Sequence, residues 1–304
     1  MNLKKCEKCN SKKLQKYGYK QGKQRYKCNS CNYQFIYKNK PKIDQIWNDY
    51  VYGKQTYKQL AQKYNYSPKT IQRKLKSHQI KVSNKTSRSV VLIIDTTYFK
   101  QSFGVMLFKD AYTGENLLKY YVKNENNYLY LKGIDELLLQ GFIIKGIVCD
   151  GRRGLIKSLS FYPIQFCQFH QVKIIQRYLS KRSKQPAVKD LWLITNLLTQ
   201  VTEIQFKDFL EQWFDEYEDY YNERTLNPET GKSHYTHRRL RSAFRSLKTN
   251  LPYLFTYQKY PTLNIPNTSN KIEGSFAHLK QKLRCHNGLK LKQKMKLIDE
   301  ILGC

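Results

Sequence analysis

Two apolar runs organise the second half of the chain, and each stops on a single aspartate. Val90-Val91-Leu92-Ile93-Ile94 ends at Asp95, and the run from Ile143 to Cys149 ends at Asp150. Runs of this length, rich in β-branched residues, predict strands buried on both faces of a sheet. Residues 103–109 and 116–122 predict two further strands, separated by the turn Asp110-Ala111-Tyr112-Thr113-Gly114. Residues 128–140 predict a helix closed by Gly141 at its C-terminal cap. A helical turn from Arg152 and a short strand over 164–166 follow. Beyond Phe169 the period becomes helical for a long way. Leu191, Trp192, Leu197 and Leu198 form one stripe, and Phe206, Phe209, Leu210, Trp213, Phe214 and Tyr217 form another.

Three strands in a meander, a helix and a further strand reproduce the start of a ribonuclease-H-like fold. In that order the first and fourth strands are neighbours, which brings Asp95 to Asp150. A carboxylate at a strand exit lies at the sheet edge, where open α/β folds place their chemistry. Two such carboxylates bind a hard divalent cation or share a proton. Taken singly, each reads as the cap of a loop or helix. The acids Glu211, Asp215, Glu216, Glu218 and Asp219 read as a solvated face. His234 and His237, in the basic stretch 232–248, read as surface residues of a loop.

The first 80 residues follow other rules. Cys6-x-x-Cys9 and Cys28-x-x-Cys31 bracket a segment within the window of about 15–20 residues expected of a four-thiolate zinc site. Gln21-Gly22-Lys23 supplies a turn between two short polar strands, as in a zinc ribbon over residues 1–38. So small a segment has no core sufficient to fold without metal. Disulfide pairing is the alternative. Over 40–80, Ile43, Ile46, Trp47 and Tyr50 fall at helical spacing, and a second helix begins at Thr56. Ser67-Pro68 then provides a cap and a proline at the first helical position. The helix that follows buries Ile71 and Leu75 and presents Lys69, Thr70, Gln72 and Arg73. That layout predicts a helix-turn-helix with polar side chains aimed at base edges; a small bundle with a solvated face is the alternative. Residues 81–88 read as a linker.

Composition narrows the partner. Among 304 residues, 55 Lys+Arg face 23 Asp+Glu, for a net charge of +32. An excess of that size suits a polyanion, because each neutralised phosphate releases counterions. No apolar run approaches the roughly 18 residues of a spanning helix and no secretory signal follows Met1, so double-stranded DNA is favoured over a membrane. The cations interleave with 25 tyrosines rather than forming a tail, as on a folded binding surface. An AT-rich genome also enriches Lys, Asn, Ile and Tyr. Eight cysteines without a secretory signal indicate a reducing cytosol.

Two further motifs are ambiguous on local grounds. Asn270-x-x-Glu273 reads first as a variant capping box, with Asn270 as the cap. Gly274 beside it admits a close backbone or phosphate, and Lys280, Lys282 and Arg284 turn the same helix toward DNA. Cys167-x-x-His170 reads as a buried thiol and a hydrogen-bonded imidazole, since two ligands alone do not make a zinc site.

Asp95 after its apolar strand, Cys149-Asp150-Gly151-Arg152-Arg153-Gly154, Cys167-Gln168-Phe169-His170-Gln171 and Asn267-Thr268-Ser269-Asn270-x-x-Glu273-Gly274 together resemble a known group. They are similar to bacterial insertion-sequence transposases of the Mutator-like superfamily, in the branch with an N-terminal zinc ribbon. The resemblance covers residues 90–304 well and the front module more loosely. It implies that Asp95, Asp150 and Glu273 form an acidic triad holding two Mg2+ (or Mn2+) ions, with His170 as an active-site neighbour. It also implies the Cys-x-x-His signature of Cys167 and His170, and an all-helical insertion (about 180–260) within a catalytic domain spanning 89–304. The implied activity is two-metal phosphoryl transfer, which exposes 3′-hydroxyls at the element's ends and joins them to target DNA. Arg152, Arg153 and Lys280 are candidate phosphate contacts, beside the Zn2+ of the ribbon. A homodimer or higher oligomer on DNA follows from handling two ends, in a bacterial, nucleoid-associated cytoplasmic setting. A ribonuclease-H-like nuclease that does not join, a non-catalytic DNA-binding regulator and an RNA-binding protein are the rivals.

Overall fold

The computed structural model describes residues 5–36, 42–80, 84–100, 103–152 and 154–304. The chain is mixed α+β and divides into two compact units, Met1–Gln79 and Ile80–Cys304. Of the expected linker 81–88, residues 81–83 lie outside the described residues, as does Arg153.

In the first unit, β1 (Leu14–Lys20), β2 (Lys23–Cys28) and β3 (Gln34–Ile36) form an antiparallel sheet in that order. Its buried core is Cys6, Cys28 and Phe35, with Leu14, Tyr26 and Cys31 against them. Three helices follow: α1 (Ile43–Val51), α2 (Tyr57–Tyr64) and α3 (Pro68–Ser77). Thr56 caps α2 in a full capping box with Gln59, and Ser67 caps α3 by accepting the Thr70 N–H. Ile46, Leu60, Ile71 and Leu75 fill the space between them.

The second unit is built on a five-stranded sheet. Its members are β4 (Ser89–Phe99), β5 (Phe103–Asp110), β6 (Asn116–Val122), β7 (Ile143–Cys149) and β8 (Ile164–Phe166). The order across the sheet is β6-β5-β4-β7-β8. The first three strands are antiparallel neighbours, whereas β7 runs parallel to β4, and β8 parallel to β7. The crossover between β4's hairpin and β7 is α4 (Asn127–Leu139), which covers one face. Val90, Leu92, Ile94, Met106 and Phe108 pack there against Tyr130, Ile134 and Leu137.

Asp95 departs from expectation in one respect. It is not the exit of its strand: β4 runs on to Phe99, paired with β5 down to Phe99↔Phe103. The apolar run stops earlier because the parallel partner stops, at Ile93↔Val148. Asp95 and Asp150 each lie two residues past that pair, so the register holds them level. Strand alternation turns Asp95, with Val91 and Ile93, away from the α4 face.

After β8, α5 (Leu155–Ser158) having preceded it, come α6 (Gln168–Tyr178), α7 (Pro186–Leu197), α8 (Glu203–Asn222), α9 (Arg238–Leu254) and α10 (Thr256–Lys259). Glu211, Asp215, Glu216, Glu218 and Asp219 of α8 are exposed, as a solvated face requires. The insertion has its own core, in which Trp213 stacks on Phe244 at 4.9 Å. It is not all helical. β9 (Arg224–Leu226) and β10 (Ser233–Tyr235) form a hairpin, closed by the Asn227 N–H to the Lys232 carbonyl. Each strand is too short to show a period of two. His234 therefore lies in a strand, and His237 is no free loop residue: it stacks on Tyr220 at 3.6 Å and meets the Glu223 carboxylate at 2.7 Å. The chain closes with α11 (Asn270–Arg284), packed on β4, and α12 (Leu291–Leu302), tied to β6 by Tyr121 and Lys119 at Asp299. Among the described residues, no helix is long and apolar enough to cross a membrane.

Candidate metal centres

Three elements deliver one side chain each to a common point. Asp95 comes from β4, His170 from the first turn of α6 and Glu273 from the first turn of α11. A carboxylate oxygen of each acid and a ring nitrogen of His170 all lie within 4.8 Å of one another. Ligand atoms at about 2.0–2.5 Å from one cation stand roughly 3–5 Å apart, so this donor set can hold a metal ion. Asp150 is not part of that cluster. It lies beyond the end of β7, yet its charge is felt at Asp95.

The electrostatics are those of crowded acids. Burial, and then the Asp150 charge, push the Asp95 carboxyl up to about 7. Glu273 moves the other way: the hydrogen bond with His170, 3.4 Å away, holds it below the usual carboxylate range against burial. Burial disfavours the imidazolium of His170, but Cys167, Glu273 and Asp95 outweigh it and push His170 up to about 10. The three groups are therefore electrostatically linked, each shifted by the others.

Cys167 explains why the two helices meet here. It caps α6, and its buried sulfur accepts hydrogen bonds from both the N–H (3.2 Å) and the hydroxyl (3.1 Å) of Ser269. Ser269 caps α11. One thiol therefore clamps two helix N-termini together, and both positive ends face the acids. The Gln168 N–H to the Asn267 carbonyl (3.0 Å) and the Asn267 amide to Gln168 (2.9 Å) reinforce the clamp. The capping-box reading of Asn270 is thereby corrected. Asn270 is exposed at the first helical position, because the residue before it is committed to Cys167. Behind His170, the Gln171 amide holds Ser246 and Asn250 of α9, so the insertion buttresses α6.

A second group went unread in the sequence. Thr96 and Tyr130 share a hydrogen bond of 2.9 Å, and Tyr130 donates to Glu125 at 2.8 Å. Arg152 completes the chain through the Glu125 carbonyl (2.6 Å), its carboxylate (3.4 Å) and Asn127 (2.9 Å). The neighbours of Asp95 and Asp150 are thus linked behind the site. Arg152, expected at a phosphate, is committed inside the protein because Glu125 and the start of α4 claim its guanidinium. Glu125 and Tyr130 carry no motif; only their place beside the cap of α4 hints at a role.

Gly151 follows Asp150 because nothing larger fits. A Cβ there would fall 1.9 Å from the Phe166 ring, which is buried. Gly151→Ala is expected to cost about 1–3 kcal/mol, the range for overpacking a filled core. Thermal melting of the variant beside wild type checks this; an unchanged midpoint contradicts the packing.

In the first unit, the sulfurs of Cys6, Cys9, Cys28 and Cys31 lie within 4.8 Å of one another. Cys6 and Cys31 stand 3.6 Å apart, and Cys9 and Cys28 3.5 Å. Tetrahedral ligation with metal–sulfur bonds of about 2.3 Å puts sulfurs roughly 3.8 Å apart, whereas a disulfide needs about 2.05 Å. All four are free thiols, so pairing into disulfides is not what the geometry offers. Two matching turns present them. Asn10 and Asn32, each one residue after a second cysteine, take the left-handed conformation that asparagine tolerates (φ 56° and 55°). Burial opposes ionisation of Cys28, but the N–H groups of Ser30 and Cys31 bring it down to about 6.

On α3, Lys69, Gln72 and Arg73 are exposed. Thr70 is not similarly available, since its hydroxyl meets Ser67 at 2.9 Å in the helix cap. Lys282, expected to face outward on α11, is buried; Lys280 is half-buried. Compared with known proteins, the chain matches no family model and no curated protein.

Proposed function

We propose that this chain is a DNA transposase of the acidic-triad type, related to the Mutator-like group whose motifs it resembles. The observation that carries the reading is the convergence of Asp95, His170 and Glu273 from three distant segments, with Asp150 level with Asp95 across the β4–β7 register. The strand order β6-β5-β4-β7-β8, with a helical crossover before β7, supports a ribonuclease-H-like catalytic fold. Such a fold sets paired acids on its two central strands.

Asp95 and Glu273 are the side chains suited to hold divalent cations, Mg2+ or Mn2+ by their oxygen chemistry, and Asp150 adds a third carboxylate. When bound, a cation pair supplies Lewis-acid stabilisation of the attacking and leaving oxygens of a phosphodiester. His170 neutralises the acids while no cation is present. Its proton is the natural one to leave as positive charge arrives, since imidazolium and metal compete for the same carboxylates. The N-termini of α6 and α11 orient their N–H groups to an incoming phosphate. The Cys167–Ser269 clamp and the Arg152–Glu125–Tyr130–Thr96 chain keep the acids in position.

The four cysteines suit Zn2+ in a ribbon, and α2–α3 suits a helix-turn-helix that reads double-stranded DNA through Lys69, Gln72 and Arg73. Joining two element ends calls for at least a homodimer. The test is a plasmid carrying the DNA that flanks the gene, incubated with the protein and Mg2+. Nicks confined to the element's ends, together with joined products, are expected. Cutting without joining makes the protein a nuclease, and end binding without cutting makes it a regulator.

A further inference from the structure

The end of the β4–β5 hairpin, the C-terminal half of α11 and the start of α12 enclose an open cavity of about 420 Å³. Lys100, Lys280, Arg284 and Lys294 line it, and among the described residues no Asp or Glu does. Nor do any of these four enter an ion pair among the described residues. Four like charges around one hollow repel one another unless an anion fills it. One of them is held rather than free to swing away: the Lys294 ammonium lies over the rings of Phe99 (5.1 Å) and Phe103 (5.4 Å).

The cavity and the metal centre share α11. Lys280 follows Glu273 by seven residues and Arg284 by eleven, so all three share one face of α11. At about 1.5 Å per residue they stand roughly 10 and 16 Å from Glu273 along the axis. A DNA strand advances about 3.4 Å per nucleotide, so these distances correspond to about three and five nucleotides. The cations come from three elements, and Lys280 and Arg284 alone are spaced by about 6 Å along α11, so they offer a row of contacts rather than one point. We infer that this cavity receives the backbone phosphates of a DNA strand about three to five nucleotides from the phosphate held at Asp95 and Glu273. This rests on the catalytic reading above and gives the direction in which the strand leaves the site.

The test uses the full chain, a 40-base-pair duplex from the gene's flank and Ca2+ in place of Mg2+. Lysine acylation read by mass spectrometry is expected to show at least about fivefold protection of Lys100, Lys280 and Lys294 by the duplex. The triple variant Lys100→Gln, Lys280→Gln, Lys294→Gln is expected to lower the slope of log Kd against log salt by about 2.7, at about 0.9 per phosphate contact. Its thermal midpoint serves as the folding control, and the wild-type footprint stands whatever the variant does. Unprotected lysines with an unchanged slope overturn the proposal. So does equal protection by inorganic phosphate at the same phosphate concentration, which assigns the cavity to a small anion. If the lysines are protected but the wild type never cuts in Mg2+, the cavity stands and the catalytic reading fails. If cutting proceeds with the lysines unprotected, the reverse holds.

Discussion

Asp95→Asn and, separately, Glu273→Gln lower Mg2+-dependent cleavage of element ends by about a thousandfold or more, while end binding stays within about twofold. A cation in such a site supplies several kcal/mol of charge stabilisation, and each 1.36 kcal/mol is a decade in rate. The two acids are joint donors of one cluster, so either loss dismantles it. Asp150→Asn is expected to act in the same direction, because Asp150 lies level with Asp95 across the β4–β7 register and its charge is felt there. The pH dependence is part of the prediction. Asp95 is held up to about 7, so protons compete with the cation below that pH. At limiting Mg2+, cleavage therefore rises with pH through about 7, and saturating Mg2+ shifts the rise to lower pH. For the metal-free protein the sign is fixed by the raised folded-state pKa. Protonated Asp95 favours the folded state below the ordinary carboxyl value of 3.8, and that contribution is lost as pH rises to about 7. Metal-free Asp95→Asn should then melt several degrees above metal-free wild type at pH 8. Added Mg2+ should stabilise the wild type but not the variant. Full cleavage by either variant removes that acid from the mechanism.

What the sequence made legible was what has a local signature. The strands over 116–122 and 164–166 were readable to the residue, because the turn at 110–114 precedes the first and Pro163 the second. The level placement of Asp95 and Asp150 across the β4–β7 register was readable as well, since each follows a buried run. Glu273 was not readable on local grounds. Its spacing from Asn270 mimics a helix cap, and only the distant Cys167 takes Ser269 as the true cap. The role of Arg152 was misjudged for a related reason. An exposed-looking Arg-Arg pair beside a catalytic acid suggests phosphate, but Glu125, 27 residues earlier, claims the guanidinium. The β9–β10 hairpin was hidden by strands of three residues, held by Arg224 to Ser233 and by the Asn227 turn. Long-range polar partners, rather than hydrophobic pattern, were the recurrent source of error.

Removing metal from the four cysteines is expected to unfold residues 5–36 and leave the second unit folded. The buried hydrophobic set of this segment is Cys6, Cys28 and Phe35, and two of the three are ligand candidates. Without metal, Phe35 and the partly buried Leu14 and Tyr26 are left to offset the ordering of some thirty residues, at about 1 kcal/mol or more of backbone entropy each. Structural zinc, by contrast, contributes an apparent 10–16 kcal/mol or so in peptides of comparable size. A zinc-sensitive dye with a thiol-blocking reagent should release about one zinc per chain, and four cysteines should become reactive together as it leaves. Cys28→Ser should purify without that zinc and lose the circular-dichroism and exchange protection of β1–β3. Its high-temperature transition, from Ile80–Cys304, should persist, because the two units are separately compact. Acid should act as the chelator does, since all four ligands must shed protons to bind. The same four thiols reacting freely in fully folded, zinc-replete protein would show that the pairwise spacings of 3.5 and 3.6 Å are not those of a metal cage.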